Sequence, residues 1–493
     1  MMKQNRREFI IKSGCALSMT ALATQVRHFG LMTAMAQKSR VKSDTAVPND
    51  YRALVCIFLS GGNDGNNTVI PNHNDSGISN YAAYSTARAQ QGLALAQNVL
   101  LPIAVPRIGN LNYGLHPSFG TVTGGVNPGL HPLWATGKMA VVTNIGTLVS
   151  PMTRAQYQSN SVPRPINLFS HNDQTNQHQN CRSDVMTLTG WGGRMSDKMT
   201  LTDNPNRLVP TLSSLVGSQV FTIGETTQPL TLSPAPTALS NVLSLVGYNN
   251  TPISNARFDA LNAAMSLDSN QELISASNQL HRQALEISRS LNNNSEVTVT
   301  FPTSELGNQL KQVARMIKTR TVLGVNRQIF FCTLSGFDTH SGQLNNQGAL
   351  FTQLSQATRA FYDEMNVQGI GNKVTQFTMS DFSRTFNPGG SGGNVGSDHA
   401  WANHSFIIGD SVIGGDFYGV NTTNGTPFPT LVQNGPDDSD FGSTARGRWI
   451  PTTSVDQYAA TLANWFGLQP PDVNYVFPNL NHFTTANLGF MMP

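Results

Sequence analysis

The sequence predicts an α/β protein built on a doubly wound, mostly parallel sheet. Two observations carry this. Strand-length apolar runs end in loops rich in Gly, Ser and Asp, and from residue 304 onward such runs alternate with helical patterns. In sheets of this kind the loops at the carboxyl ends of parallel strands share one edge, and ligands bind there.

Leu54-Val55-Cys56-Ile57-Phe58-Leu59 is a buried strand that runs into Ser60-Gly61-Gly62-Asn63-Asp64-Gly65. Residues 72–136 are mixed, with loop signals at Pro106 to Pro117 and Gly124 to Pro132. Residues 138–145 form a second strand, and Ile166-Asn167-Leu168-Phe169-Ser170-His171 is a short third one. Residues 208–232 suggest short strands and turns. Residues 255–291 repeat apolar positions at three and four, as a helix does. An inserted subdomain is expected over about residues 200–300. Ser304 caps a helix with Leu306, Leu310, Val313 and Ile317 on one face. The strand 329–334 then runs into Ser335-Gly336-Phe337-Asp338-Thr339-His340. A helix bearing Leu350, Leu354, Phe361 and Met365 leads to the strand 374–379, which runs into Ser380-Asp381. A Gly-rich loop at 387–397 precedes Asp398-His399 and a strand at 405–409. Ser454 caps a last helix that ends near Trp465-Phe466-Gly467.

The N-terminus predicts export. Asn5-Arg6-Arg7-Glu8-Phe9-Ile10-Ile11-Lys12 fits a twin-arginine signal, with Ala34-Met35-Ala36 as the cleavage site. The expected division is a signal at 1–36, a polar linker at 37–50 and one large domain at 51–493. The expected partner is the twin-arginine export machinery, and the expected location is periplasmic or extracellular. No later stretch is long and apolar enough to span a bilayer. The chain carries a net charge of +3, but residues 1–36 contribute five Lys and Arg against one Glu, a net of +4. The remainder is therefore near −1, with no basic run, and a nucleic-acid partner is not expected. Of the four cysteines Cys15 lies in the expected signal, and Cys56, Cys181 and Cys332 beyond it are an odd set without a CxxC pattern. Cys56 and Cys332 lie within apolar strands and are expected as buried free thiols.

Five residues stand out: Asp64, Asp338, His340, Asp381 and His399. All lie just beyond a strand or on the loop leading to one. Several carboxylates converging on one edge need a compensating cation, and Asp with His suits Zn, Mn, Mg or Ca. Each also has a plain structural reading, since Asp64 sits in a turn sequence and Asp381 can cap the segment after its strand. Gly389-Gly390-Ser391-Gly392-Gly393 lacks the strand-to-helix context of a dinucleotide site.

The chain resembles an exported family catalogued as domain of unknown function number fifteen-oh-one. The resemblance rests on Leu59-Ser60-Gly61-Gly62-Asn63-Asp64-Gly65-Asn66-Asn67-Thr68-Val69-Ile70-Pro71, Ser380-Asp381-Phe382-Ser383-Arg384-Thr385 and Ser397-Asp398-His399. It continues through Gly414-Gly415-Asp416-Phe417-Tyr418-Gly419 and Ser454-Val455-Asp456-Gln457-Tyr458-Ala459-Ala460-Thr461-Leu462. That family is similar to the alkaline phosphatase and sulfatase superfamily. The resemblance implies an alkaline-phosphatase-like layered α/β/α fold with a two-metal site for divalent ions. It places Asp64, Asp338, His340, Asp381 and His399 as ligands. The His of the superfamily's later Asp-His pair is Phe382 here, so that ligand is lost.

The expected function is a metal-dependent hydrolase of phosphate or sulfate esters acting on a small anionic ester or a glycan. Ser170 is the positional candidate for nucleophile, with Thr175 second, and Arg384 is a candidate clamp for an anion. Ser170 also reads as a helix cap, and His171 and His178 as supporting groups or plain loop polars. The alternative is a catalytically degenerate secreted or surface protein of the same fold that binds a partner or glycan. Phe382 and the lack of an obvious nucleophile favour it.

Overall fold

The computed structural model describes residues 50–205, 207–239, 251–266, 278 and 295–493. The expected signal, and the linker up to residue 49, lie outside the described residues. So does much of the stretch expected as an inserted subdomain.

The strands are β1 (Arg52–Ser60), β2 (Val69–Pro71), β3 (Leu101–Val105), β4 (Leu111–Leu115), β5 (Met139–Gly146) and β6 (Leu212–Ser214). They continue with β7 (Leu230–Thr231), β8 (Arg327–Ser335), β9 (Val374–Ser380), β10 (Asn403–Ile408), β11 (Phe417–Tyr418) and β12 (Thr453–Ser454). The longer helices are α1 (Tyr81–Ala89), α2 (His171–Asn180), α3 (Trp191–Asp203), α4 (Pro252–Ser266), α5 (Glu305–Lys318), α6 (Gln343–Val367) and α7 (Val455–Phe466).

The main sheet has nine strands in the order β11-β5-β10-β9-β1-β8-β6-β7, with β12 also on β5. β1 is central and runs parallel to both β8 and β9. β10 is antiparallel to its two neighbours, so the sheet is mixed but mostly parallel. A smaller antiparallel sheet of three strands, β2-β4-β3, packs alongside.

Three layers result from the alternation of side chains along β1. Val55, Ile57 and Leu59 pack into one apolar cluster together with Leu306, Leu310, Val313 and Ile317 of α5 and Leu354 and Phe361 of α6. Leu54, Cys56 and Phe58 pack into a second cluster with Trp191, Met195 and Met199 of α3 and Tyr458 and Leu462 of α7. Strand residues buried on both faces explain why β1 is apolar throughout rather than alternating. The α5 stripe is fully buried, and each such side chain contributes about 1.5–3 kcal/mol on leaving water. Ser304 caps α5 by accepting from the Gly307 amide, and Ser454 caps α7 in a reciprocal capping box with Gln457. Cys56 and Cys332 fall in clusters on opposite faces of the sheet, and all three described cysteines are free.

The expected short strand at 166–171 is corrected. Asn167 and Phe169 take positive φ of 48° and 72°, which no extended strand tolerates, and Ser170 then caps α2. Within the 200–300 stretch, β6 pairs with β8 and β7 with β6, so these residues extend the main sheet, and α4 comes after them.

Candidate metal centre

β1, β8 and β9 end level with one another: Leu59 is opposite both Leu334 and Ser380. The loops after these three strands therefore meet at one edge. Gly61 (φ +114°) and Gly62 (φ +90°) turn the chain there. A Cβ on Gly61 would lie 2.3 Å from the Asp338 amide, so only glycine allows the loops after β1 and β8 to close together.

Asp381 lies 1% exposed behind this edge. Its Oδ1 accepts from the Gly62 amide at 2.7 Å and the Gly61 amide at 3.1 Å. Its Oδ2 meets His171 Nδ1 at 2.6 Å. In the neutral ring the Nδ1 proton goes to Asp381, which leaves the His171 Nε2 as the lone pair. His399 is fixed in the same sense, because its Nδ1 lies 2.8 Å from the Phe169 carbonyl, which can only accept. Both Nε2 atoms are buried and lack a hydrogen-bond partner. They face Asp338 Oδ1 at 3.4 Å for His171 and 3.9 Å for His399. One ligand atom from each of His171, Asp338 and His399 falls within 4.8 Å of the others, as a shared ion requires. Asp338 is half exposed, so the group opens to solvent.

His340 borders the same carboxylate. Its Nε2 is 3.0 Å from Asp338 Oδ1 and its Nδ1 3.1 Å from Asp398 Oδ1, while Asp398 pairs with Arg446. Phe382 is fully buried against the imidazoles, with ring centroids 4.5 Å from His171 and 4.6 Å from His399.

Charges set the proton affinities. Burial pushes the Asp338 carboxyl up, but the hydrogen bond and charge of Arg384, with His171 and His340 beside it, hold it below the usual carboxylate range. The hydrogen bond to Asp381 raises His171 against the burial that lowers it. Burial lowers His399, and the nearby His171 and Arg384 act in the same direction. His399 is thus held neutral, the form in which imidazole ligates a metal.

The expected site residues divide in three. Asp338 and His399 belong to the ligand group, and His340 borders it through Asp338. Asp381 is beside them, but its oxygens are taken by the two glycine amides, Ser380 and His171. Asp64 is directed elsewhere: it forms a buried ion pair with Arg88, accepts from Gln343 Nε2 at 2.7 Å and caps the short helix Gly65–Thr68. Ser170 Oγ donates to Asp173 Oδ2 at 2.6 Å and caps α2. Arg384 is fully buried and bound to backbone carbonyls and Asp338. Thr175 lies within α2, and His178 is buried on the same helix, where burial takes its imidazole down to about 4. His171 is the ligand candidate that the sequence alone offers only as a supporting group or a plain loop polar. Its position directly after the capping Ser170 was the one signal that could have found it.

The fold and this edge define a class: a layered α/β protein with a histidine-aspartate cluster where its parallel strands end. The chain belongs to the DUF1501 family of proteins of unknown function, whose model matches residues 51–432. No curated protein matches. Among solved structures, the lipoteichoic acid synthase LtaP from Listeria monocytogenes is similar at 6% identity, over 85% of this chain and 80% of that one, with a TM-score of 0.26. The PsFucS1 sulfatase from Pseudoalteromonas sp. is similar at 10% identity over 80% and 67%, with a TM-score of 0.24. A substituted form of the alkaline phosphatase PafA is similar at 13% identity over 69% and 64%, with a TM-score of 0.23. At such scores the likenesses carry no argument about this chain. No helix among the described residues is long and apolar enough to cross a membrane.

Proposed function

We propose that the protein is an exported metal-dependent hydrolase of phosphate or sulfate esters, with a divalent ion held by His171, Asp338 and His399. One observation carries the reading: two buried imidazole Nε2 atoms without a hydrogen-bond partner, each ring backed by an acceptor at Nδ1, face a half-exposed carboxylate. Leaving such atoms buried without a partner costs about 1–3 kcal/mol each, which an ion would offset. Two imidazoles and one carboxylate suit zinc best among the candidates and leave a coordination position open. A bound divalent ion supplies Lewis-acid stabilisation of an ester oxygen and lowers the pKa of coordinated water. Around it, Asp381 orients His171, the Phe169 carbonyl orients His399, and the open face admits a small anionic ester. The twin-arginine pattern at Asn5 to Lys12 supports export.

The second reading is a non-catalytic family member that binds a partner or glycan. It is favoured by Ser170, whose hydroxyl is committed to Asp173 and to capping, and by Phe382 packed against both imidazoles.

The test is metal content of protein exported through its own signal, beside Asp338→Ala and Asp64→Asn variants, with a subsequent screen of phosphate and sulfate esters. One ion per chain, lost with Asp338→Ala and kept with Asp64→Asn, together with ester turnover, is the expected result. A wild type without a stoichiometric divalent ion would end the hydrolase reading. An ion without turnover across the screen would favour the binding protein.

A further inference from the structure

The side chain of Arg384 lies at the junction of all the loops that build this centre. Its Nε donates to the Gly62 carbonyl at 3.1 Å and its Nη1 to the Ser397 carbonyl at 3.0 Å. Its Nη2 contacts the Gly61 carbonyl at 2.6 Å, the Phe337 carbonyl at 3.0 Å and Asp338 Oδ1 at 2.5 Å. Its own backbone pairs with that of His399 in an isolated antiparallel bridge. The residue is fully buried.

These contacts reach every member of the ligand group. Asp338 is held directly. His399 is held through the main-chain bridge and through Ser397, two residues before it. His171 is held at one remove, because the Gly61 and Gly62 peptides whose carbonyls bind Arg384 belong to the turn whose amides grip Asp381, and Asp381 orients His171. The planar guanidinium fork is what allows one side chain to bind acceptors spread across three loops. A lysine ammonium offers three donors at a single point and cannot span them.

We infer that Arg384 is the positioning residue of the centre: it braces the loops after β1 and β8 and the approach to His399, and thereby sets the ion-binding geometry without touching substrate. The inference rests on the metal reading, but the brace itself makes a prediction that needs no metal.

The experiment compares Arg384→Lys with Arg327→Lys. Arg327 is a like-buried arginine at the opposite end of β8, where it donates to the Phe466 carbonyl at 2.8 Å. Zn²⁺ affinity and the visible spectrum of bound Co²⁺ are measured in the full chain, with hydrogen exchange of the segments 61–65, 337–340 and 397–399. Arg384→Lys is expected to weaken Zn²⁺ about 10- to 100-fold, alter the Co²⁺ bands and release all three segments together. Arg327→Lys should leave all three readouts unchanged even where its melting temperature falls as far. Wild-type protection of those segments in Arg384→Lys would overturn the inference, as would equal losses in both variants. A wild type that binds neither ion would count against the metal reading, and the exchange comparison would still decide the role of Arg384.

Discussion

His171 and Asp381, 210 residues apart in the chain, are joined by a 2.6 Å hydrogen bond between Nδ1 and Oδ2. The bond fixes which imidazole nitrogen carries the proton, and so which one faces Asp338. Because Asp381 is itself gripped by two glycine amides, the ring is held from the sheet rather than from its own helix.

Replacing Asp381 by Asn tests that arrangement. The amide oxygen would keep the glycine amides, which places the NH₂ against His171 Nδ1. The imidazole proton would move to Nε2 and remove the lone pair. Zn²⁺ affinity by calorimetry should fall about 10- to 100-fold while the melting temperature changes little. Unchanged affinity would show that His171 does not ligate.

Ser170→Ala separates a cap from a nucleophile. The hydroxyl caps α2, and its loss should cost about 1 kcal/mol in a denaturant titration, with ester turnover retained. A collapse of turnover at unchanged stability would make Ser170 the attacking group instead.

Gly61→Ala addresses the closure of the loops. The backbone there has φ +114°, and the new Cβ would stand 2.3 Å from the Asp338 amide nitrogen. Strain of about 1–3 kcal/mol is expected, with a shift of Asp338 and weaker ion binding. Full stability and affinity would mean that the two loops do not meet.

Asp456 should make stability depend on pH. It is buried at the start of α7, Ser454 donates to its Oδ2 at 2.8 Å, and its Oδ1 has no partner. Burial pushes its carboxyl up to about 7 from the ordinary 3.8, against the Ser454 hydrogen bond that lowers it. A carboxyl raised in the folded state holds its proton there, so its contribution is full below pH 3.8 and is lost as the pH rises through about 7. Asp456→Asn should therefore be more stable than the wild type at pH 8, by on the order of 3–4 kcal/mol, with the gap nearly closed at pH 4. Urea titrations at the two pH values check this. A gap that is the same at both would remove the claim.

The parallel core was legible because buried strands announce themselves. β1 and β8 carry continuous apolar stretches that end in turn residues, as burial on both faces favours, whereas β9 has only Val374, Phe377 and Met379 apolar, with Thr375, Gln376 and Thr378 buried between them. The placement of Asp338, His340 and His399 at that edge was legible for the same reason, since they stand just past strand ends or on the approach to one. His171 was not, because it closed the hexapeptide 166–171 that reads as a strand, whereas Asn167 and Phe169 take positive φ and Ser170 caps a helix there.

The sequence by itself determined the α/β class, the family and the sheet edge where its acidic and histidine residues gather. These depend on hydrophobic period and on residues close together in the chain. Only the tertiary structure decided the roles within that edge. It gave Asp64 to Arg88, Asp381 to His171 and Ser170 to a helix cap, and it buried Arg384. A carboxylate, hydroxyl or guanidinium can bind an ion, a substrate or a neighbouring side chain equally well. Which of these it meets is fixed by contacts between segments tens to hundreds of residues apart, and such contacts leave no local mark in the sequence.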